Sequence, residues 1–233
     1  MLRIAPVLLP FLLLVGTGLR GLDFGLHWDE RPWQIGPTKH MVQSATLLPG
    51  YYTYPSFDYW LNLAVLSPDV VTPRKSGERL ATHLVRVLDS QAYLFRLRAV
   101  YLVIASLALV WVYLLVLQRG GAWSEALFAS CVLGGSREIA YHLRWVASDG
   151  MLMQSGALTV LLALRAFDTR KQSWLMAAAA AAGVGFGTKY PGGLLVLPVA
   201  LAGILSLAGG TLKSKATLLV KIAVVCSPGY FWP

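Results

Sequence analysis

The sequence predicts an all-α protein, a polytopic bundle of transmembrane helices with a long outer first loop that carries short interfacial helices. Three observations predict it. Of the 233 residues, 56% are hydrophobic and only 13% charged, whereas soluble domains run near 45–50% apolar and about 25% charged. Apolar segments recur along the chain, separated by short polar turns. The first long connection is dense in aromatic rings, as Tyr51-Tyr52-Thr53-Tyr54-Pro55-Ser56-Phe57-Asp58-Tyr59-Trp60 shows, and such rings belong at a membrane–water interface. The net charge of +9 does not point to nucleic acid. The basic residues sit mostly in loops between apolar segments, where topology and phosphate or lipid headgroups account for them. Cys131 and Cys226 lie inside apolar runs without metal-ligand or disulfide spacing, and read as small wall residues.

A single membrane domain over 1–233 is expected, with spans near 4–22, 99–117, 122–140, 150–165, 174–188, 192–209 and 216–233 and the outer loop at 23–98. The first segment is apolar up to Arg20 and lacks a good small-x-small cleavage pattern, so it reads as a retained helix, with Pro6 and Pro10 in its first turns. In the loop, 37–48 reads as an amphipathic helix with Met41, Ala45 and Leu48 on one face, ended by Pro49-Gly50. The stretch 67–77 reads as a polar turn region, and 80–98 as a helix approaching the membrane. The third span holds only if it continues through Ser136-Arg137-Glu138. The fifth is rich in Ala and Gly, which suits close helix packing. The chain stops at Pro233 inside a hydrophobic segment, and further helices are expected beyond it.

With a cytoplasmic N-terminus, Arg3, Arg119, Arg165, Arg170, Lys171, Lys213 and Lys215 fall inside, against Arg137, Arg144 and Lys189 outside, as the positive-inside rule requires. This topology places His27-Trp28-Asp29-Glu30, Ser148-Asp149-Gly150 and Lys189 on one outer face. Asp29 and Glu30 are adjacent, so they point in different directions. One could act as a base within reach of an acceptor proton, and the other could orient a neighbouring Arg or the acceptor. A helix cap and a solvated loop charge are the alternatives. Ser148 or Asp149 could cap a helix starting at Gly150, or Asp149 could be a second carboxylate of the same cavity, orienting the acceptor or helping to hold a divalent cation. Lys189, between Gly187 and Pro191-Gly192-Gly193, could meet a phosphate as a point charge, or snorkel at a helix end. Arg137, His142 and Arg144 form a second basic set that could bind phosphate or simply be solvated. His27 and His83 stand alone and are not expected to be ligands.

These stretches, in this order, resemble the GT-C class of integral-membrane glycosyltransferases. More narrowly, they resemble glycosyltransferase family 39, the protein O-mannosyltransferase and lipid A aminoarabinose transferase group. The residues that carry the resemblance are Leu26-His27-Trp28-Asp29-Glu30 after a first helix, Tyr52-Thr53-Tyr54-Pro55-Ser56-Phe57 in the same loop, Arg144-Trp145-Val146-Ala147-Ser148-Asp149-Gly150 leading into a helix, and Gly183-Val184-Gly185-Phe186-Gly187-Thr188-Lys189-Tyr190-Pro191-Gly192 ending another. The usual Tyr-Pro-Pro is Tyr-Pro-Ser here, and the chain corresponds to the N-terminal half of a family member.

The resemblance implies transfer of a sugar from a polyprenyl-phosphate donor to a protein, lipid or glycan acceptor, with the active site on the extracytoplasmic face of a bacterial inner or plasma membrane. It implies Asp29 as base with Glu30 in support, Asp149 as second acid, Lys189 with Arg137 or Arg144 on the departing phosphate, and His27, Tyr54 and Pro55 in the acceptor or donor loop. It fixes no cofactor, and leaves open a divalent cation held by Asp29 and Asp149. A transporter or flippase of lipid-linked sugars, and an inactive membrane fragment, are the competing readings. A transport pathway would need polar residues within the spans, which are nearly free of them.

Overall fold

The computed structural model describes residues 4–206 and 212–226. Among these residues the protein is all-α, without a strand. Arg3 and the hydrophobic chain end lie outside them. Helix α1 (Ala5–Leu19) opens the chain, with Pro6 in its first turn and Pro10 inside. Prolines near a helix start leave few carbonyls unpaired. The helix exposes Leu8, Leu9, Leu12 and Leu13 and buries Val7 and Gly18. Gly18 lets α1 approach α5 (Gln91–Gln118) closely, since a Cβ there would meet Leu102 at 2.8 Å. Helix α5 starts where the Ser90 hydroxyl accepts the Tyr93 N–H at 3.2 Å, a cap that contributes about 1 kcal/mol.

Between α1 and α5, a π-helical turn (Arg31–Ile35) runs into α2 (Gly36–Gln43), followed by α3 (Phe57–Leu66), a 3₁₀ turn (Ser67–Val71) and α4 (Leu80–Leu88). These short elements share one apolar core with the start of α5. Ile35, Leu66, Leu84 and Leu88 meet Tyr93, Leu94, Leu97 and Tyr101, and Val146 and Met151 close it from the far side. His83 is buried here, with Nε2 at 2.8 Å from the Thr72 hydroxyl, and serves the loop's own packing.

After α5 come α6 (Trp123–Gly134), α7 (Arg137–His142), α8 (Ser148–Thr169) and α9 (Gln172–Thr188). A 3₁₀ turn (Tyr190–Leu195), α10 (Val196–Ser206) and α11 (Leu212–Cys226) follow. The most extensive helix pairing is α8 on α9. Ala178, Ala179 and Ala182 of α9 meet Ala163 and Ala166 of α8, with Val199, Ala202 and Ile222 completing that core. Small residues allow the backbones to close up and to gain dispersion contacts. Among the described residues two helices, α5 and α8, are long and apolar enough to cross a membrane, with mean hydropathy of 2.6 and 1.4. Segments Ala5–Leu19 and Tyr190–Ser206 are apolar but shorter.

Several expected boundaries change. The helix expected over 80–98 divides at Asp89-Ser90, because the Ser90 hydroxyl starts a new helix. The segment 122–140 divides between α6 and α7 at Gly135-Ser136, where two glycines and a serine favour a turn. The amphipathic helix expected over 37–48 spans Gly36–Gln43 and stops before Ala45, whose φ of 50° is left-handed. The last helix begins at Leu212 rather than 216.

The turn after α9 folds back onto it. A Cβ on Gly192 would lie 2.2 Å from the Gly185 carbonyl oxygen, so no side chain fits there without moving backbone. The Gly192→Ala variant is therefore expected to lose about 1–3 kcal/mol or more, read as a lowered unfolding temperature in detergent. A native unfolding temperature would refute this packing.

Candidate active site

The start of the first loop is held by a buried ion pair. Glu30 and Arg98 are both inaccessible to solvent. Arg98 donates Nε to Glu30 Oε1 at 2.8 Å and Nη2 to Oε2 at 2.5 Å. The same guanidinium donates to the carbonyls of Leu22 and Gly25 and lies over the Phe24 ring at 4.0 Å. Glu30 also accepts the His27 N–H at 3.1 Å and the Val146 N–H at 3.1 Å. Its lone pairs are thus committed to structure, and its side chain caps no helix.

Asp29 is turned the other way, into a cleft of about 200 Å³. The cleft is lined by His27, Trp28, Asp29, Trp33, Gln34, Tyr54, Tyr141, His142, Trp145, Val146, Ser148, Asp149 and Lys189. The half-buried Asp29 carboxylate has no hydrogen bond or ion pair among the described residues. Its backbone N–H instead donates to His27 Nδ1 at 3.4 Å. The His27 ring stacks on Trp145 at 4.1 Å, and its Nε2 lies 3.1 Å from the Tyr141 hydroxyl. The loop carrying Asp29 is therefore fixed from two sides while the carboxylate stays uncommitted.

Asp149 and Lys189 supply the other charges. Lys189 follows α9 in extended conformation and donates Nζ to Asp149 Oδ1 at 2.6 Å. The pair is partly exposed, 28% and 44% for the two side chains, so the ammonium remains reachable from the cleft. Neither Ser148 nor Asp149 caps α8. The Ser148 hydroxyl donates instead to Asp58 Oδ2 at 2.6 Å and accepts Gln34 Nε2 at 3.3 Å. Asp58, in the first turn of α3, is wholly buried, and burial pushes its carboxyl up to about 7 against the lowering effect of the Ser148 hydrogen bond.

The structure thus gathers Asp29, His27, Tyr54, Asp149 and Lys189 around one cleft. Pro55 is buried beside it. Arg137 is exposed on α7, and the exposed Arg144 donates to the Arg20 carbonyl at 2.7 Å; neither lines the cleft. Asp58, Gln34, Arg98 and Trp145 were not singled out from sequence. Asp58 carried a signal, the one charged residue in the largely apolar run Phe57–Leu66. Asp149 is bound to an ammonium, and no group of three His, Cys, Asp or Glu placed to hold a metal ion occurs among the described residues.

A family model described as dolichyl-phosphate-mannose-protein mannosyltransferase matches residues 81–232. The match takes in Asp149 and Lys189 and begins after Asp29 and Glu30. No curated protein and no solved structure matches the chain significantly.

Proposed function

The chain belongs to the dolichyl-phosphate-mannose-protein mannosyltransferase family, and from that membership we propose that it moves a sugar from a polyprenyl-phosphate donor onto an acceptor hydroxyl, on a protein by the family's description. The observation that carries the site assignment is the free Asp29 carboxylate in the same cleft as Lys189. A general base must be positioned yet not tied up by a stronger partner, and Asp29 meets both conditions.

Asp29 takes the proton of the acceptor hydroxyl as its oxygen forms a bond to the anomeric carbon. The bond from that carbon to the phosphate oxygen breaks, and the electron pair leaves with the polyprenyl phosphate. The Lys189 ammonium offsets the charge that develops on the departing phosphate. Trp33 and Tyr54 line the same cleft and supply aromatic surface beside the sugar. Asp149 holds Lys189 in place through the 2.6 Å contact. The apolar helices α5 and α8 suit a donor whose tail lies in lipid. The charge distribution of the loops supports an extracytoplasmic site in a multi-pass cell-membrane protein.

Transfer from dolichyl-phosphate mannose and from other polyprenyl-phosphate sugars by the protein in lipid nanodiscs tests the reading. Lys189→Met is expected to raise the donor KM by about ten- to a hundredfold, the worth of one charge-assisted hydrogen bond, and to leave the acceptor KM nearly unchanged. Absence of transfer from every such donor sinks the proposal. An unchanged donor KM in Lys189→Met removes this residue from it.

A further inference from the structure

A buried carboxyl lies one hydrogen bond behind the cleft and has no part in the chemistry above. Asp58 is fully buried, and its Oδ2 accepts the Ser148 hydroxyl at 2.6 Å. Its Oδ1 has no hydrogen-bond partner among the described residues. Structural carboxylates are normally saturated with donors when buried, as Glu30 is in this same protein. Ser148 begins α8 and precedes Asp149, which holds Lys189. Gln34, which also lines the cleft, donates to the same hydroxyl.

We propose that Asp58 is a positioning residue for the transfer reaction, holding the first turn of α8, and with it Asp149 and Lys189, against the cleft through Ser148. The inference rests on the glycosyl-transfer reading. The titratable groups facing Asp58 are Asp149 on α8, already paired with Lys189, Tyr59 on its own helix and Tyr101 on α5, whose hydroxyl donates to the Asp58 carbonyl at 3.3 Å. Among the described residues no cation contacts Asp58, so its ionisation adds negative charge behind the cleft. With its carboxyl pushed up to about 7, Asp58 is neutral in mildly acid solution and charged in mildly alkaline solution. Charge at this position opposes an anionic donor, so donor binding weakens as pH rises through neutrality.

The experiment measures kcat and the KM for dolichyl-phosphate mannose, a phosphodiester whose single charge stays constant here, between about pH 6 and about pH 8. In the native chain the KM is expected to rise on the order of tenfold, the effect of one charge about ten ångströms away at an effective dielectric near 20. Asp58→Asn keeps the shape and an acceptor for Ser148, and should flatten that rise. Ser148→Ala keeps the charge and cuts the tether, and should lower kcat several-fold. A residue that served stability alone would lower the unfolding temperature and leave the pH slope of the KM intact. Retention of the native slope by Asp58→Asn, or native kcat in Ser148→Ala, overturns the inference while transfer itself stands. Absence of both transfer and donor binding in the native chain overturns the functional reading, and this inference with it.

Discussion

Asp29→Asn is expected to lower kcat for sugar transfer by on the order of 10²–10⁴-fold while membrane insertion and the unfolding temperature stay native. The two halves of that expectation come from one observation. The Asp29 carboxylate makes no hydrogen bond or ion pair among the described residues, so replacing it removes no folding contact. Substitutions at such positions stay within about 0.5 kcal/mol of neutral. The amide has nearly the same size and leaves the backbone contact to His27 Nδ1 in place. What it lacks is basicity. An acceptor hydroxyl then meets the anomeric carbon still protonated, and the barrier rises by the full contribution of the base. Activity within a few-fold of native would remove Asp29 from the mechanism, because no other cleft carboxylate is unpaired: Asp149 is held by Lys189.

The neighbouring residue is expected to behave in the opposite way. Arg98→Ala or Glu30→Ala should cost about 3–5 kcal/mol, because each leaves a buried charge without its partner. Total stabilities are about 5–15 kcal/mol, so the unfolding temperature should fall on the order of 10 °C or the protein should fail to accumulate. Arg98 is the more severe case. Its guanidinium also satisfies two backbone carbonyls, those of Leu22 and Gly25, which would be stranded in a buried site. Thermal unfolding of the two alanine variants beside Asp29→Asn separates the roles of adjacent carboxylates. A native unfolding temperature in Arg98→Ala would show that this pair does not hold the loop.

The division between Asp29 and Glu30 was only half legible in the sequence. Adjacency says that two side chains diverge, and charge counting along the loops predicts Asp29, Asp149 and Lys189 on one side of a membrane. In the structure the three line a single cleft. Which carboxylate is free depends on a partner 68 residues away, and no local pattern names Arg98. Its position at the edge of an apolar helix reads equally well as a charge at a membrane boundary. Asp58 was overlooked for a related reason. It sits among aromatic residues that suggest an interface, and its burial arises only when α3, α8 and the π-helical turn converge. The helix boundaries failed where one side chain outweighs a hydrophobic pattern, as at Ser90. The match to the family begins at residue 81, so the Asp29 loop rests on its own chemistry and on the cleft it lines.

The Glu30 clasp also sets an order of events during synthesis. Glu30 emerges early, yet the arginine that neutralises it is made 68 residues later and the Val146 N–H that completes its shell 116 residues later. The rings that brace His27, Tyr141 and Trp145, arrive in the same interval. Until then Glu30 lacks its full set of donors, although the later part of the loop already has the start of α5 to pack against. The loop that carries Asp29 is therefore braced on both sides only once the chain has been made as far as Val146.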